Sequence, residues 1–206
     1  RSLRFNAGDS AYLNRTPASA GNRKTWTWAG WVKRSALGTR QVMFSAGSDG
    51  TEFYFGGSNN DQLIFYYYNG SSFVANYQTT ALYRDPSAWL HIVISVDTTQ
   101  ATASNRFKLY INGSQVTVFS TETQFSQNSE SDINAATAHN VGRSTGAGSR
   151  YFDGYLADVH FIDGQALTPS SFAETNATTG QWVPKAYSGS GYGTNGFQLK
   201  FADNSS

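Results

Sequence analysis

Aromatic side chains are the part of this sequence best suited to recognition chemistry, because a ring presents a flat apolar face while Tyr and Trp keep a polar edge. Phe, Tyr and Trp make up 15% of the 206 residues, and one run, Phe65-Tyr66-Tyr67-Tyr68, places four in a row. With the two-residue period of a strand, Phe53, Phe55, Leu63, Phe65 and Tyr67 fall on an apolar face and Tyr54, Tyr66 and Tyr68 on the other. Neighbouring strands then present an outward tyrosine platform of the kind that stacks on sugar rings, with a few polar groups fixing orientation. The alternative is that this face is solvated or covered by another chain, since Tyr is in any case a good strand former. Trp26 and Trp28 share a face and Trp31 takes the opposite one, so at least one tryptophan leaves the simplest core pattern. Trp28 joins Tyr54, Tyr66 and Tyr68 as a carbohydrate-stacking candidate, flanked by Arg23 and Lys24.

Other constellations offer less. His91, His139 and His160 do not stand at metal-ligand spacing from one another, and His91 lies within an apolar strand where a hydrogen-bonded core role is expected. Asp49, Asp61, Asp97, Asp153, Asp158 and Asp163 could supply oxygen ligands to calcium, but they form no EF-hand-like series. The Asp-Gly pairs at 49–50, 153–154 and 163–164 read more economically as turns. The sequence contains neither a G-x-S-x-G elbow nor a phosphate-cradling glycine loop.

Charge gives little reason to expect nucleic acid or an anionic membrane as a partner, since the net charge is +1. The first forty residues do concentrate Arg1, Arg4, Arg15, Arg23, Lys24, Lys33, Arg34 and Arg40 against Asp9 alone. Scattering over solvent and loop positions is the simple reading of that segment, and an anionic partner the sharper one. Charged residues total only 14%, so Ser, Thr, Asn, Gln and Gly must supply the polar surface. Cysteine is absent, which removes disulfides and thiolate chemistry and points to a bacterial or bacterial-virus source. No apolar run is long enough to span a membrane, and the opening RSLRFNAGDS lacks the apolar stretch of a signal peptide and an initiator Met. A non-inserted piece of a longer protein is expected. Sequons at Asn14, Asn69, Asn112, Asn176 and Asn204 are expected by chance in so Asn- and Ser-rich a chain.

The elements that must position these residues are strands. Short β-branched or aromatic runs are separated by Gly, Asn, Asp and Ser clusters, and helix signals are nearly absent. Runs are predicted at 25–33, 41–46, 52–55, 63–68, 73–77, 107–111, 115–119, 140–142, 154–162 and 197–201, with shorter ones near residues 3 and 12. In the most regular, Leu90, Ile92, Ile94 and Val96 face one way, which marks a central buried strand. Asn112-Gly113 predicts a two-residue type I′ hairpin, and Thr168-Pro169 the start of a short helical turn. The Gly-, Ser- and Tyr-rich stretch 185–196 reads as a long loop. More than ten short strands with frequent turns predict an all-β, two-sheet antiparallel sandwich, with residues 1–206 as a single domain.

Three segments resemble the laminin G-like jelly-roll family within the concanavalin A-like group. TWTWAGWVKRS (25–35) is similar to the family's early strand ending in Trp-Val, and 89–116 to its Trp-x-His strand and Tyr-x-Asn-Gly hairpin. FDGYLADVHFIDGQALTPSSF (152–172) is similar to its Gly-x-Ile-Asp-Glu-Val strand and Leu-Thr turn, with Ala157 where an acid is common and Asp158 keeping the next. The resemblance implies a concanavalin A-like jelly roll, and a structural calcium is possible because related domains often carry one. The group includes glucanases with a Glu-x-Asp-x-x-Glu strand motif; here Glu130-Ser131-Asp132 is followed by Ala135 in the third acidic place, so no enzyme is expected. The Cys-free composition and the Leu-Ala-Asp-Val sequence at 156–159 also resemble bacteriophage tail fibres, tailspikes and head decorations. The expectation is a non-catalytic module on a virion or extracellular surface. Its partners would be surface polysaccharide, other virion or surface subunits, or further copies of itself. A purely structural role and a glycan hydrolase stand as alternatives.

Overall fold

The computed structural model describes residues 1–48, 50–56, 61–146, 148 and 150–202. In chain order the strands are β1 (Leu3–Phe5), β2 (Leu13–Arg15), β3 (Thr25–Arg34), β4 (Gln41–Ala46), β5 (Thr51–Phe55), β6 (Gln62–Tyr68), β7 (Phe73–Leu82) and β8 (Leu90–Asp97). They continue as β9 (Phe107–Ile111), β10 (Ser114–Val116), β11 (Phe119–Thr123), β12 (His139–Val141), β13 (Gly154–Asp163), β14 (Ala173–Thr175), β15 (Trp182–Pro184) and β16 (Phe197–Leu199). The first sheet runs β1-β13-β3-β8-β9-β10, with β16 also on β13; the second runs β11-β7-β6-β5-β4-β12-β2. Every pairing described is antiparallel, and the protein is an all-β jelly-roll sandwich.

The core forms where the apolar faces of the two sheets meet. Ile92, Ile94 and Val96 of β8 point into it, with Phe53, Phe55, Leu63 and Phe65 opposite, as strand alternation requires. Cross-strand register aligns Trp26 with Val96 and Trp28 with Ile94, so both tryptophans share that inner face. Gly30, next along the same face, leaves room for this: a Cβ there would lie 2.9 Å from the Trp28 ring.

Several local expectations hold, and others change. Asn112 and Gly113 take φ of 49° and 84°, as a type I′ turn requires, and join β9 directly to β10. The run predicted at 115–119 is instead a crossing: β10 belongs to the first sheet and β11 to the second. Thr168 precedes the 3₁₀ turn Pro169–Ser171 without capping it through its side chain. The 164–196 segment folds back over the outer face of the first sheet, where Phe172, Tyr187 and Tyr192 pack against Ala29, Val93, Tyr110 and Ile162. Within it β14 and β15 form a small separate ribbon.

Candidate functional site

The outer face of the second sheet carries Tyr54 on β5 and Tyr66 and Tyr68 on β6, clustered with Val42 and Ile64. Tyr54 and Tyr66 meet edge to face with centroids 5.8 Å apart, and Phe73 of β7 touches Tyr66 at 5.5 Å and Tyr68 at 5.3 Å. The outward phase of the three tyrosines is as alternation predicted. Their exposure is not that of an open platform. Tyr54 and Tyr66 retain only 9% and 7% of their surface, because the Arg40 guanidinium lies 4.1 Å from the Tyr54 ring centroid and 5.3 Å from that of Tyr66. Tyr68 is half-buried and Phe73 exposed.

Polar groups complete this hollow. Arg40 Nη2 donates to the Tyr66 hydroxyl at 2.7 Å and to the carboxylate of Glu52, which also accepts from the Ser144 hydroxyl. Glu52 is fully buried, and Arg150 Nη1 stands 3.7 Å from it. Two guanidiniums therefore face one carboxylate, and the local charge is positive. Burial works against the Arg40 charge, but Glu52, Tyr54 and Tyr66 outweigh it and its pKa lies above the ordinary value. Burial and the Glu52 charge push the Tyr66 phenol to about 12, so it stays protonated and can both donate and accept. The hollow measures about 270 Å³, and Asn76 and Gln78 of β7 add amide edges to its wall. Arg40 and Glu52 were not singled out from the sequence: nothing in a lone Arg before a strand reveals which ring it will cover.

Trp28 is a correction. It is 1% exposed and packs between the sheets against Phe53, with centroids 5.1 Å apart, so it presents no ring face to a sugar. The outward tryptophan of β3 is Trp31, whose ring lies tilted against His91 with centroids 4.9 Å apart.

His91 and His139 are buried and held by neighbours. Trp182 Nε1 donates to His91 Nδ1 at 3.1 Å, and burial, with His160 nearby, pulls the His91 pKa down to about 4. His139 Nε2 accepts from the Asn134 amide at 2.9 Å, and burial lowers its pKa as well. The candidate calcium ligands are largely engaged. Asp61 pairs with Arg34 at 2.7 Å and Arg84 at 3.2 Å, Asp97 accepts from Thr25, Thr99 and Gln100, and Asp163 accepts from Asn22, Asn134 and Asn195. Asp49 lies outside the described residues. Among the described residues no three His, Asp or Glu gather as a metal site would require. Of the weak acidic motif, Glu130 forms an ion pair with Arg23 at 3.0 Å, and burial raises the pKa of Asp132.

The sequence profile of the concanavalin A-like lectin/glucanases superfamily matches residues 6–173. This chain belongs to that superfamily. Solved structures share its fold at low identity. A heptameric SAP-like pentraxin from Limulus polyphemus superposes with a TM-score of 0.55 at 17% identity, over 84% of this chain and 85% of that one. Domains LG4-5 of the mouse laminin alpha1 chain give 0.52 at 15% identity, over 78% and 40%. Tailspike protein 2 of a bacteriophage of Escherichia coli O157:H7 gives 0.54 at 12%, over 83% and 23%. The chain thus spans well under half of the laminin and tailspike structures it resembles. A search of the curated proteins finds no match.

Proposed function

We propose that this chain is a non-catalytic carbohydrate-recognition module on a virion or other extracellular surface, reading surface glycans through the hollow of Tyr54, Tyr66 and Tyr68. The observation that carries this reading is the mixed wall of that hollow. Tyr68 and Phe73 offer apolar faces, while Arg40, Arg150, Asn76 and Gln78 offer hydrogen-bonding edges. At about 270 Å³ the hollow suits one sugar residue of a longer chain, and its excess of guanidinium favours an acidic sugar. Superfamily membership supports the lectin-like reading, and the tailspike and laminin likenesses are consistent with surface placement of a single module within a longer chain.

The test compares binding to immobilised acidic and neutral glycans by the wild-type chain and a Tyr68→Ala/Phe73→Ala variant, with calcium and with chelator. Both side chains lie away from the inter-sheet core, so folding is expected to persist. Affinity is expected to drop about tenfold or more, equivalent to about 1.4 kcal/mol. Unchanged affinity in the variant would place recognition elsewhere.

A structural role in subunit packing is the second reading, favoured by exposed apolar groups near the end of β7 at the sheet edge, Leu82 and Val118, the latter 64% exposed. A stable contact there would cover about 800 Å² per partner. Sedimentation equilibrium separates the two, a self-association abolished by Val118→Asp and Leu82→Asp supporting the packing role.

A further inference from the structure

The first sheet holds a second cavity that the reading above does not use. β1 and β16 share one edge of β13: β1 pairs with Gly154–Leu156 and β16 with Val159–Phe161. Between them the register of β13 against β3 slips from Ala157↔Trp31 to His160↔Ala29, which inserts one extra residue and forms a bulge. Asp158 sits in that bulge at φ 46°, a left-handed conformation that costs energy for any residue with a Cβ. The bulge turns Asp158 toward a cavity of about 550 Å³.

Three of the chain's five tryptophans, Trp31, Trp89 and Trp182, line this cavity. Trp31 belongs to the outward row Ala157, Trp31, His91 across β13, β3 and β8. Trp182 comes from β15 and is fixed by its bond to the unprotonated Nδ1 of His91. Trp89 immediately precedes β8. Polar groups stand among the rings. Asp158 Oδ1 accepts from Gln198 at 2.7 Å and lies 3.1 Å from His160 Nε2, and these contacts leave Oδ2 for a ligand. Its pKa is lowered, since the bonds from His160 and Gln198 overcome the effect of burial, so it is an ionised acceptor at neutral pH. Lys200 supplies a donor at the rim. Trp31 itself is 9% exposed, and its indole N–H, like those of the core residues Trp26 and Trp28, has no acceptor among the described residues.

We propose that this cavity is a second saccharide site, taking a short oligosaccharide. Rings stack on Trp89 and Trp182, and vicinal hydroxyls are bridged between the Asp158 carboxylate and the Lys200 ammonium. Three indoles present more apolar ring surface than the tyrosine hollow leaves open, and the volume falls within the range of about 300–1,000 Å³ typical of small-molecule sites. Asp158 and Lys200 present opposite charges suited to bridging hydroxyls, and Arg1 stands in the same lining as a second cation. The site lies on the sheet opposite the tyrosine hollow and stands independently of it, so the molecule is bivalent if both are occupied.

Calorimetric titration with neutral hexose and N-acetylhexosamine oligosaccharides tests this on the wild type, Trp89→Ala, Trp182→Ala, Asp158→Asn and Tyr68→Ala. Asp158→Asn is the control for folding, because Asn tolerates the left-handed backbone and removes only the charge. Saturable binding is expected in the wild type, weakened about tenfold or more by each Trp variant and by Asp158→Asn, and unchanged by Tyr68→Ala. Absence of saturable binding by folded wild type overturns the proposal. So does binding lost only in Tyr68→Ala, or self-association of the wild type that Trp182→Ala abolishes. Failure of the tyrosine hollow would instead appear as loss of acidic-glycan binding with the tryptophan response intact.

Discussion

Glu52 shows how a single residue shapes the hollow. A carboxylate with no exposed surface is tolerated only because Arg40, Ser144 and Arg150 surround it, and the same Arg40 then covers the Tyr54 ring. Removing Arg40 leaves Glu52 with Ser144 and Arg150 alone, so Arg40→Ala should destabilise the fold by about 1–3 kcal/mol in denaturant titration. Trp28→Ala should cost about 3–5 kcal/mol through the cavity it leaves, without changing the glycan affinity of the molecules that remain folded. A loss of affinity per folded molecule would restore Trp28 to the site. The sequence revealed the phase of Tyr54, Tyr66 and Tyr68 because each strand has one plainly apolar face. It could not settle Trp28, because β3 carries tryptophan on both faces. The alignment of Trp28 with Ile94 decides the matter, and that pairing is a long-range fact rather than a local pattern.

At the scale of elements, the hairpin β9–β10 couples a turn to a binding surface. Gly113 sits at φ 84°, and a Cβ there would meet the Trp182 ring at 3.1 Å. Gly113→Ala should therefore lose about 1–2 kcal/mol from the left-handed backbone alone and displace Trp182. Chemical denaturation and a shift in tryptophan emission would check both effects, and an unchanged emission spectrum would argue against the contact. Regular strands such as β4 and β8 were legible because alternation and length agreed. The ribbon β14–β15 was not, since Ala173–Thr175 and Trp182–Pro184 are three residues each and the second ends in Pro. The crossing between β10 and β11 was hidden for a different reason: a continuous polar and β-branched run does not say where the chain changes sheets.

Across the whole molecule, burial lowers the pKa of His91 and of His139, and this gives the sandwich a defined response to acid. In the unfolded chain His91 titrates near its ordinary value, while in the fold it is held down to about 4. Between those values the unfolded state binds the extra proton, so stability is fully present above about pH 6.5 and falls as the pH drops toward 4. The loss from His91 alone is on the order of 3 kcal/mol, and the lowered pKa of His139 acts in the same direction. Protonating Nδ1 also removes the acceptor for Trp182, so acid should loosen the 164–196 segment before the inter-sheet core. Thermal melts from pH 7 to 4, with a His91→Gln comparison, should show a steeper decline for the wild type; parallel curves would contradict the assignment.

Glycan recognition at the outer face of the second sheet is the central claim, and a panel of acidic and neutral surface polysaccharides probed with the intact chain tests it most directly. The account predicts selective, saturable binding of acidic glycans that the Tyr68→Ala/Phe73→Ala variant loses. No binding across the panel, with or without calcium, would contradict it and leave a structural surface module as the better description.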